Sequence, residues 1–279
     1  MSAPDSTIAM DRYGVMGFPV AHSRSPVIHA VFARQTGQAM TYELFETRPE
    51  DLESAIRNFQ RSGGAGLNIT VPHKSEVVRL VDEMSDNATT AGAVNTLKIG
   101  ADHIYGDNTD GIGLVRDLTQ NKRWAIEGQR VLILGAGGAT RGITRPLQEQ
   151  RPASLTIANR GARKAVALAE HFGRFGEVRS CRFAELAGTE PFDLIINATS
   201  AGLGGSVPEF PESIISESSH CYDLSYGSAS TPFLTWAKKR GITNLASGWG
   251  MLVEQAAASF RLWRGVMPDT KAVLERYSI

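Results

Sequence analysis

The residues with the clearest chemical use are a run of glycines. In Arg-Val-Leu-Ile-Leu-Gly-Ala-Gly-Gly-Ala-Thr-Arg-Gly over 130–142, an apolar run at 131–134 feeds into a glycine-rich turn. A helix-compatible segment follows over 139–150. Strand, turn and helix in that order make an anion cradle. Gly135 permits the tight turn, Gly137 lets the backbone approach a pyrophosphate, and the new helix aims its N–H groups at the anion. Gly135, Ala136, Gly137, Gly138 and Ala139 are therefore cofactor-binding candidates, and a dinucleotide implies hydride transfer. The usual third glycine position holds Thr140. An ordinary strand-to-helix turn without a ligand is the alternative, and the next segment bears on the choice. Residues 154–158 read as the second strand of a βαβ unit, ending in Asn159 and Arg160, with Arg163 and Lys164 close behind and no carboxylate before Glu170. A carboxylate there would accept from ribose hydroxyls and select NAD, whereas a guanidinium binds a 2′-phosphate. The expected cofactor is NADP. A solvated helix start is the other reading of this basic cluster. It is disfavoured because cations at a helix N-terminus oppose the dipole unless an anion joins them.

A second set of polar residues precedes the turn. Ser23 and Ser25 flank Arg24 where a strand gives way to a helix. Two hydroxyls beside a helix N-terminus suit a carboxylate, although simple N-capping by Ser25 would need only one. Asn68 and Thr70 alternate with Leu67, Ile69 and Val71, so the period of two puts both polar side chains on one face. A plain exposed strand face is the other reading. Lys74 follows once Pro72 has ended the strand. Asn95 closes an apolar run at 91–95, and Asp110 sits in Gly-Asp-Asn-Thr-Asp-Gly at 106–111, where helix capping is the alternative. Gln255 has Met251, Leu252, Ala258 and Ser259 as its three- and four-residue neighbours in a helix expected over 251–263. A buried amide on that face needs a partner, either a ligand hydroxyl or a backbone group.

These groups need elements to position them. Before the turn, strands are expected at 13–16, 41–46 and 66–71, and helices at 27–36 and 49–59. Ser25 and Pro26 serve as N-cap and first-turn proline of the first of these helices. A hairpin over 93–105 turns at 100–102, and a helix opens at 108–111. After the turn, strands are expected near 155–158, 193–197, 220–224 and 242–246, with helices between them. The last thirty residues read as helical and as packing back on the N-terminal domain, and residues 1–10 as disordered. Alternating elements imply an α/β fold. Its parts are an N-terminal α/β substrate domain with a mixed, mostly parallel sheet and a Rossmann-type NADP-binding domain, with a cleft between them. The first domain spans 1–112 and is completed by 249–279; the second spans 113–248.

Composition narrows the function classes. The chain has 279 residues, 42% hydrophobic and 21% charged, with 29 basic residues against 29 acidic. That balance argues against a nucleic-acid or membrane-surface binder. No apolar run is long enough to span a bilayer, and no secretory signal is visible at the start. The two cysteines, Cys181 and Cys221, lack metal-ligand spacing and read as buried free thiols, so a cytoplasmic location is expected and no metal. A small-molecule substrate is the expected partner, with the chain a monomer or homodimer.

Seven motifs in register resemble the shikimate dehydrogenase family. They are Ser23-Arg-Ser-Pro26, Asn68-Ile-Thr-Val-Pro-His-Lys74, Gly92-Ala-Val-Asn95, Gly106-Asp-Asn-Thr-Asp-Gly111, Gly135-Ala-Gly-Gly-Ala139, Asn197-Ala-Thr-Ser200 and Gln255. The resemblance implies NADP-linked interconversion of 3-dehydroshikimate and shikimate, on the route to chorismate and the aromatic amino acids. It implies that Ser23 and Ser25 hold the substrate carboxylate. Asn68, Thr70, Asn95, Asp110 and Gln255 would bind ring hydroxyls, with Tyr226 nearby, and Lys74 and Asp110 would form the catalytic pair. On the cofactor it implies Asn159, Arg160 and Lys164 at the adenosine phosphate and Thr199, Leu224 and Gly248 at the nicotinamide. Asp86 is also counted with the cofactor residues. The chain departs from the family's frequent pattern at His73 (often Phe), Gly161 (often Thr) and Leu224 (often Met), and in the Tyr-Gly that follows Ser225.

Reducing a ketone takes a hydride to carbon and a proton to oxygen. Lys74, cationic and at a strand end, suits the proton transfer, and Asp110 suits its orientation. Two alternatives remain. A quinate or quinate/shikimate dehydrogenase would need room for an extra hydroxyl beside the carboxylate, and the intact serine pair favours shikimate. A non-catalytic NADP-binding regulator would keep the glycine turn but have no need of Lys74 with Asp110.

Overall fold

The structure, a computed structural model, describes residues 10–199, 210–227 and 231–276. Ser200 of the fourth-strand motif and nearly all of the segment 1–10 lie outside these residues. Contacts divide the chain into two units: residues up to 108 with 256–273, and residues 109–255 with the C-terminal end.

The first unit carries β1 (Asp11–Gly17), α1 (Ser25–Thr36), β2 (Met40–Glu46), α2 (Leu52–Arg61), β3 (Gly64–Ile69), β4 (Glu83–Met84), α3 (Asp86–Ala91), β5 (Thr96–Ile99) and β6 (Ile104–Asp107). Its sheet runs β2-β1-β3-β5-β6-β4. The β1–β2, β1–β3 and β4–β6 pairs are parallel, and the hairpin β5–β6 and its pairing with β3 are antiparallel. Leu67 and Ile69 of β3 join Leu52, Ile56 and Phe59 of α2 and Leu97 of β5 in one core.

The second unit holds α4 (Asp110–Arg116), β7 (Arg130–Leu134), α5 (Gly138–Glu149), β8 (Ser154–Asn159), α6 (Ala162–Gly173), β9 (Arg179–Arg182), β10 (Leu194–Asn197), β11 (His220–Asp223), α7 (Pro232–Lys238) and β12 (Asn244–Ser247). All its strand pairs are parallel, in the order β12-β11-β10-β7-β8-β9. Numbered from β7, this is the doubly wound order 3-2-1-4-5-6. The strands read as continuous apolar runs because both faces are covered. Val131 and Ile133 enter one core, while Leu132 and Leu134 enter the other. Cys221 is buried in the second core, and burial pushes its thiol up to about 12, whereas Cys181 on β9 is only half-buried.

Several boundaries differ from expectation. Strand β3 stops at Ile69, although Thr70 N–H still donates to Met16 O; Val71 is 54% exposed and does not complete the apolar face. Ser25 is the first residue of α1, not its N-cap; Arg24 holds that position, without a side-chain cap bond, and Pro26 lies in the first turn. The edge strand β9, Arg-Ser-Cys-Arg, was hidden by its lack of apolar alternation, and charged residues suit a sheet edge. The C-terminal stretch is two helices, α8 (Trp249–Arg264) and α9 (Lys271–Arg276), interrupted across Gly265 and Pro268.

The units meet in sequence at 108/109 and 255/256, where 112/113 and 248/249 were expected. Two contacts explain the shift. Helix α4 packs on α5. In the first turn of α8, the Met251 N–H donates to the Tyr222 hydroxyl, which itself donates to buried Asp117 at 2.7 Å. The second half of α8 belongs to the first unit. There the Trp263 indole donates to Leu97 O at 2.9 Å, and Arg264 pairs with Asp11 and with Gln38.

Candidate functional site

The carboxyl ends of the second unit's strands share one edge. Gly135 follows β7 with φ +106°, a conformation L side chains rarely adopt; a Cβ there would stand 2.9 Å from Ala198 O. Sheet order reverses between β7 and β10, so this is the topological switch point where such sheets bind nucleotides. A Cβ at Gly137, the N-cap of α5, would meet nothing within 4 Å, and the first turn of that helix has no acidic residue. Thr140 is fully buried, and its hydroxyl donates to Gly135 O at 2.9 Å, tying helix to turn at the position of the missing third glycine. This open, uncapped cradle from Gly135 to Ala139 fits a pyrophosphate.

Beyond β8, the Asn159 amide donates to Gly161 O at 3.0 Å, closing the turn into α6. Arg160, Arg163 and Lys164 are exposed around that helix start, again with no acidic residue in the first turn. The arrangement fits an added phosphate. Thr199 lies beyond β10, with its N–H and hydroxyl both on Asn197 Oδ1 at 3.2 and 2.7 Å. Leu224 follows β11 and Gly248 follows β12; their N–H groups donate to Asn197 O and Ser225 O. Tyr226 is half-buried just beyond. Behind this edge Asp223 is fully buried. Burial raises its carboxyl above the usual range, and the Thr231 hydroxyl and Ser225 N–H donate to it.

The first unit gathers Ser23, Ser25, Asn68, Thr70, Lys74 and Asn95. Ser25 N–H donates to Ser23 Oγ at 3.3 Å, and the two hydroxyls are 3.2 Å apart at the start of α1. Ser25 is 4% exposed and Ser23 half-buried, so the pair presents one face. Thr70 and Lys74, both half-buried, flank the turn after β3: Thr70 O accepts from His73 N–H and Lys74 O from Val94 N–H, each at about 2.9 Å or less. His73, where the family often has Phe, is buried with its ring Nε2 on Thr47 O at 2.7 Å. Asn68 is 6% exposed, which removes the exposed-face reading. Its amide works inside the unit: Tyr42 donates to Oδ1, and Nδ2 donates to Thr96 Oγ1, Ser259 Oγ and Asn95 O.

Other candidates lie elsewhere. Asp86 is exposed, at the first residue of α3 in the first unit, not in the unit of the cradle. Asp110 and Gln255 group with the second unit. Asp110 is 4% exposed at the first residue of α4, behind an N-cap that is Thr109, so the capping reading does not hold for it. Gln255 donates to Leu252 O at 3.0 Å and accepts from the Thr109 hydroxyl. Helices α4 and α8 come together at Gly113, where a Cβ would stand 2.7–2.8 Å from Gln255 Cβ, Gln255 N and Met251 O. Sequence reasoning missed Tyr42, Thr96 and Ser259. Thr96 adjoins Asn95 and Ser259 lies one helical turn beyond Gln255, but nothing in the chain order joins them.

Profiles of known families match in three stretches: the shikimate dehydrogenase substrate binding domain at 15–97, shikimate / quinate 5-dehydrogenase at 117–203, and the shikimate 5'-dehydrogenase C-terminal domain at 248–276. The NADP(+) shikimate dehydrogenase of Aromatoleum aromaticum is 51% identical over 96% of this chain and 96% of its own. The chain belongs to the shikimate dehydrogenase family. Among solved structures, an Ael1 enzyme from Pseudomonas putida shares 42% identity with TM-score 0.88, covering 96% of this chain and 98% of that one. The shikimate dehydrogenase of Thermus thermophilus, solved with NADP(H) and shikimate, shares 34% identity with TM-score 0.84, covering 95% and 98%. Family membership thus extends over both units and not the cradle alone.

Proposed function

We propose that this chain catalyses the reversible, NADPH-dependent reduction of 3-dehydroshikimate to shikimate. The observation that carries the proposal is a cradle fit for a 2′-phosphorylated dinucleotide in a chain whose other unit holds the serine pair and Lys74. The first unit acts as substrate domain and the second as NADP domain. Residues Gly135 to Ala139 hold the pyrophosphate, and Asn159, Arg160 and Lys164 the adenosine phosphate. Thr199, Leu224 and Gly248 line the nicotinamide end. Held by these residues, NADPH would supply the hydride for the substrate carbon. Ser23 and Ser25 donate to the carboxylate, whose charge also favours the start of α1. Thr70, Asn95, Asp110, Gln255 and Tyr226 bind or orient the hydroxylated ring. Asn68 joins them through Oδ1, which accepts from Tyr42 and keeps a second lone pair, while its Nδ2 is engaged within the unit. Lys74 delivers a proton to the carbonyl oxygen and stabilises the charge developing there, and Asp110 orients it. The free thiols support a reducing, cytoplasmic setting.

The test is absorbance of the reduced nicotinamide with pure protein, using shikimate or quinate and NADP or NAD in all four pairs. Turnover confined to shikimate with NADP is expected. Equal rates with quinate would establish the broader dehydrogenase, and no turnover with any pair would overturn the enzymatic reading.

A further inference from the structure

A directed chain of hydrogen bonds runs behind the proposed substrate face of the first unit. The atoms fix its direction. The Asn68 amide atom nearest Asn95 O, at 3.3 Å, must be Nδ2, because a backbone carbonyl only accepts. Oδ1 therefore takes the Tyr42 hydroxyl proton at 2.7 Å, and the two protons of Nδ2 are shared among Asn95 O, Ser259 Oγ at 3.0 Å and Thr96 Oγ1 at 3.1 Å. Thr96 Oγ1 and Ser259 Oγ are 2.8 Å apart, within hydrogen-bond distance. Thr96 has one hydroxyl proton, and it points to Asn95 Oδ1 at 2.9 Å. The order is Tyr42 to Asn68 to Thr96 to Asn95, with the Ser259 hydroxyl bonded to both Asn68 and Thr96.

We infer that Tyr42, Ser259 and Thr96 are positioning residues that set which end of the Asn95 amide meets the substrate. An asparagine amide has two flips of nearly equal shape, and only its partners choose between them. Thr96 holds the flip in which Oδ1 faces the protein. Asn95 and Thr96 are 2% and 0% exposed, so water does not compete for these bonds, and aligned donors in such surroundings strengthen one another. Tyr42 is itself held by His29, whose ring stacks on it at 4.2 Å with an 8° tilt. Ser259 ties helix α8 to the chain, so a helix more than 160 residues away in sequence helps to orient a group at the end of a loop.

The inference rests on Asn95 binding a substrate hydroxyl, and the experiment separates the two. Thr96→Val keeps the side-chain shape and removes the hydroxyl. It should raise KM for shikimate about tenfold, the loss of one directed hydrogen bond, with kcat changed less than about threefold and KM for NADP unmoved. Thr96→Ser should restore the parent value. In an Asn95→Ala background, Thr96→Val should add less than about a twofold further rise. A full additional rise there, or no rise in the parent background, overturns the relay. An unchanged KM in Asn95→Ala alone overturns the substrate role of Asn95 instead. Should Thr96→Val fail to fold, Ser259→Ala and Tyr42→Phe read the same chain from its other members, with the same outcomes.

Discussion

At the residue scale, the proposed chemistry is divided between Lys74 and the basic residues at the start of α6, and each makes its own prediction. Lys74→Ala removes the proposed proton donor and the cation at the carbonyl oxygen. Turnover should fall by about two to four orders of magnitude, in line with general acid catalysis, while KM for shikimate moves far less. Steady-state kinetics checks this, and turnover within a few-fold of the parent would remove Lys74 from the mechanism. Arg160→Ala removes an exposed guanidinium at the start of α6, where no acidic residue competes for an anion. KM for NADP should rise about tenfold, one charge-assisted contact, and KM for NAD should stay nearly constant. On the proposed reading the basic side chains carry this discrimination, because Gly161 supplies no hydroxyl beside them. An equal rise for both cofactors would refute that account.

At the element scale, the two sites depend on close backbone approach. Gly135 links β7 to α5 at positive φ under Ala198 O, so Gly135→Ala brings backbone strain of about 1–3 kcal/mol and a clash at the crossover. Thermal melts should show that loss, and the NADP-induced rise in Tm should shrink as well. Gly113→Ala acts on helices: its methyl would press on Gln255 N and Met251 O, which are backbone and cannot swing aside. Overpacking of this kind costs about 1–3 kcal/mol. Since Gln255 is the neighbour displaced, KM for shikimate should rise along with the loss of stability. A variant that melts lower but keeps its KM would show that Gln255 does not meet the substrate.

For the whole molecule, stability should depend on pH through a buried group that is neither the proton donor nor a cofactor residue. His29 is fully buried, and burial pushes its pKa from 6.5 down to about 3. Between those values the unfolded chain binds a proton that the folded chain refuses. Stability is therefore full above pH 6.5 and falls as pH drops toward 3, approaching about 1.4 kcal/mol per pH unit. His29→Phe keeps an aromatic ring against Tyr42 and removes the titration. Its Tm should fall less steeply between pH 7 and 5 than the parent's, and parallel curves would exclude His29 as the cause.

By itself the sequence determined what is local. Strand, glycine turn and helix are consecutive, so the cradle was legible at 130–142, and Arg160 at the next strand end announced NADP. Ser23 and Ser25 are two residues apart, and Lys74 follows the turn after β3, so they too stood out as candidates. The alternating elements gave the α/β class. Only the tertiary structure decided the rest. It showed that Asn68 turns its amide inward, because Tyr42, Thr96 and Ser259 reach it from β2, β5 and α8. It moved Asp110 and Gln255 to the second unit through the packing of α4 and the start of α8. A period of two says which side a residue faces, but not what lies there: residues on both faces of β3 are buried. Residue spacing fixes groups joined by one turn. Groups joined by a sheet or a helix packing meet only when the chain has folded.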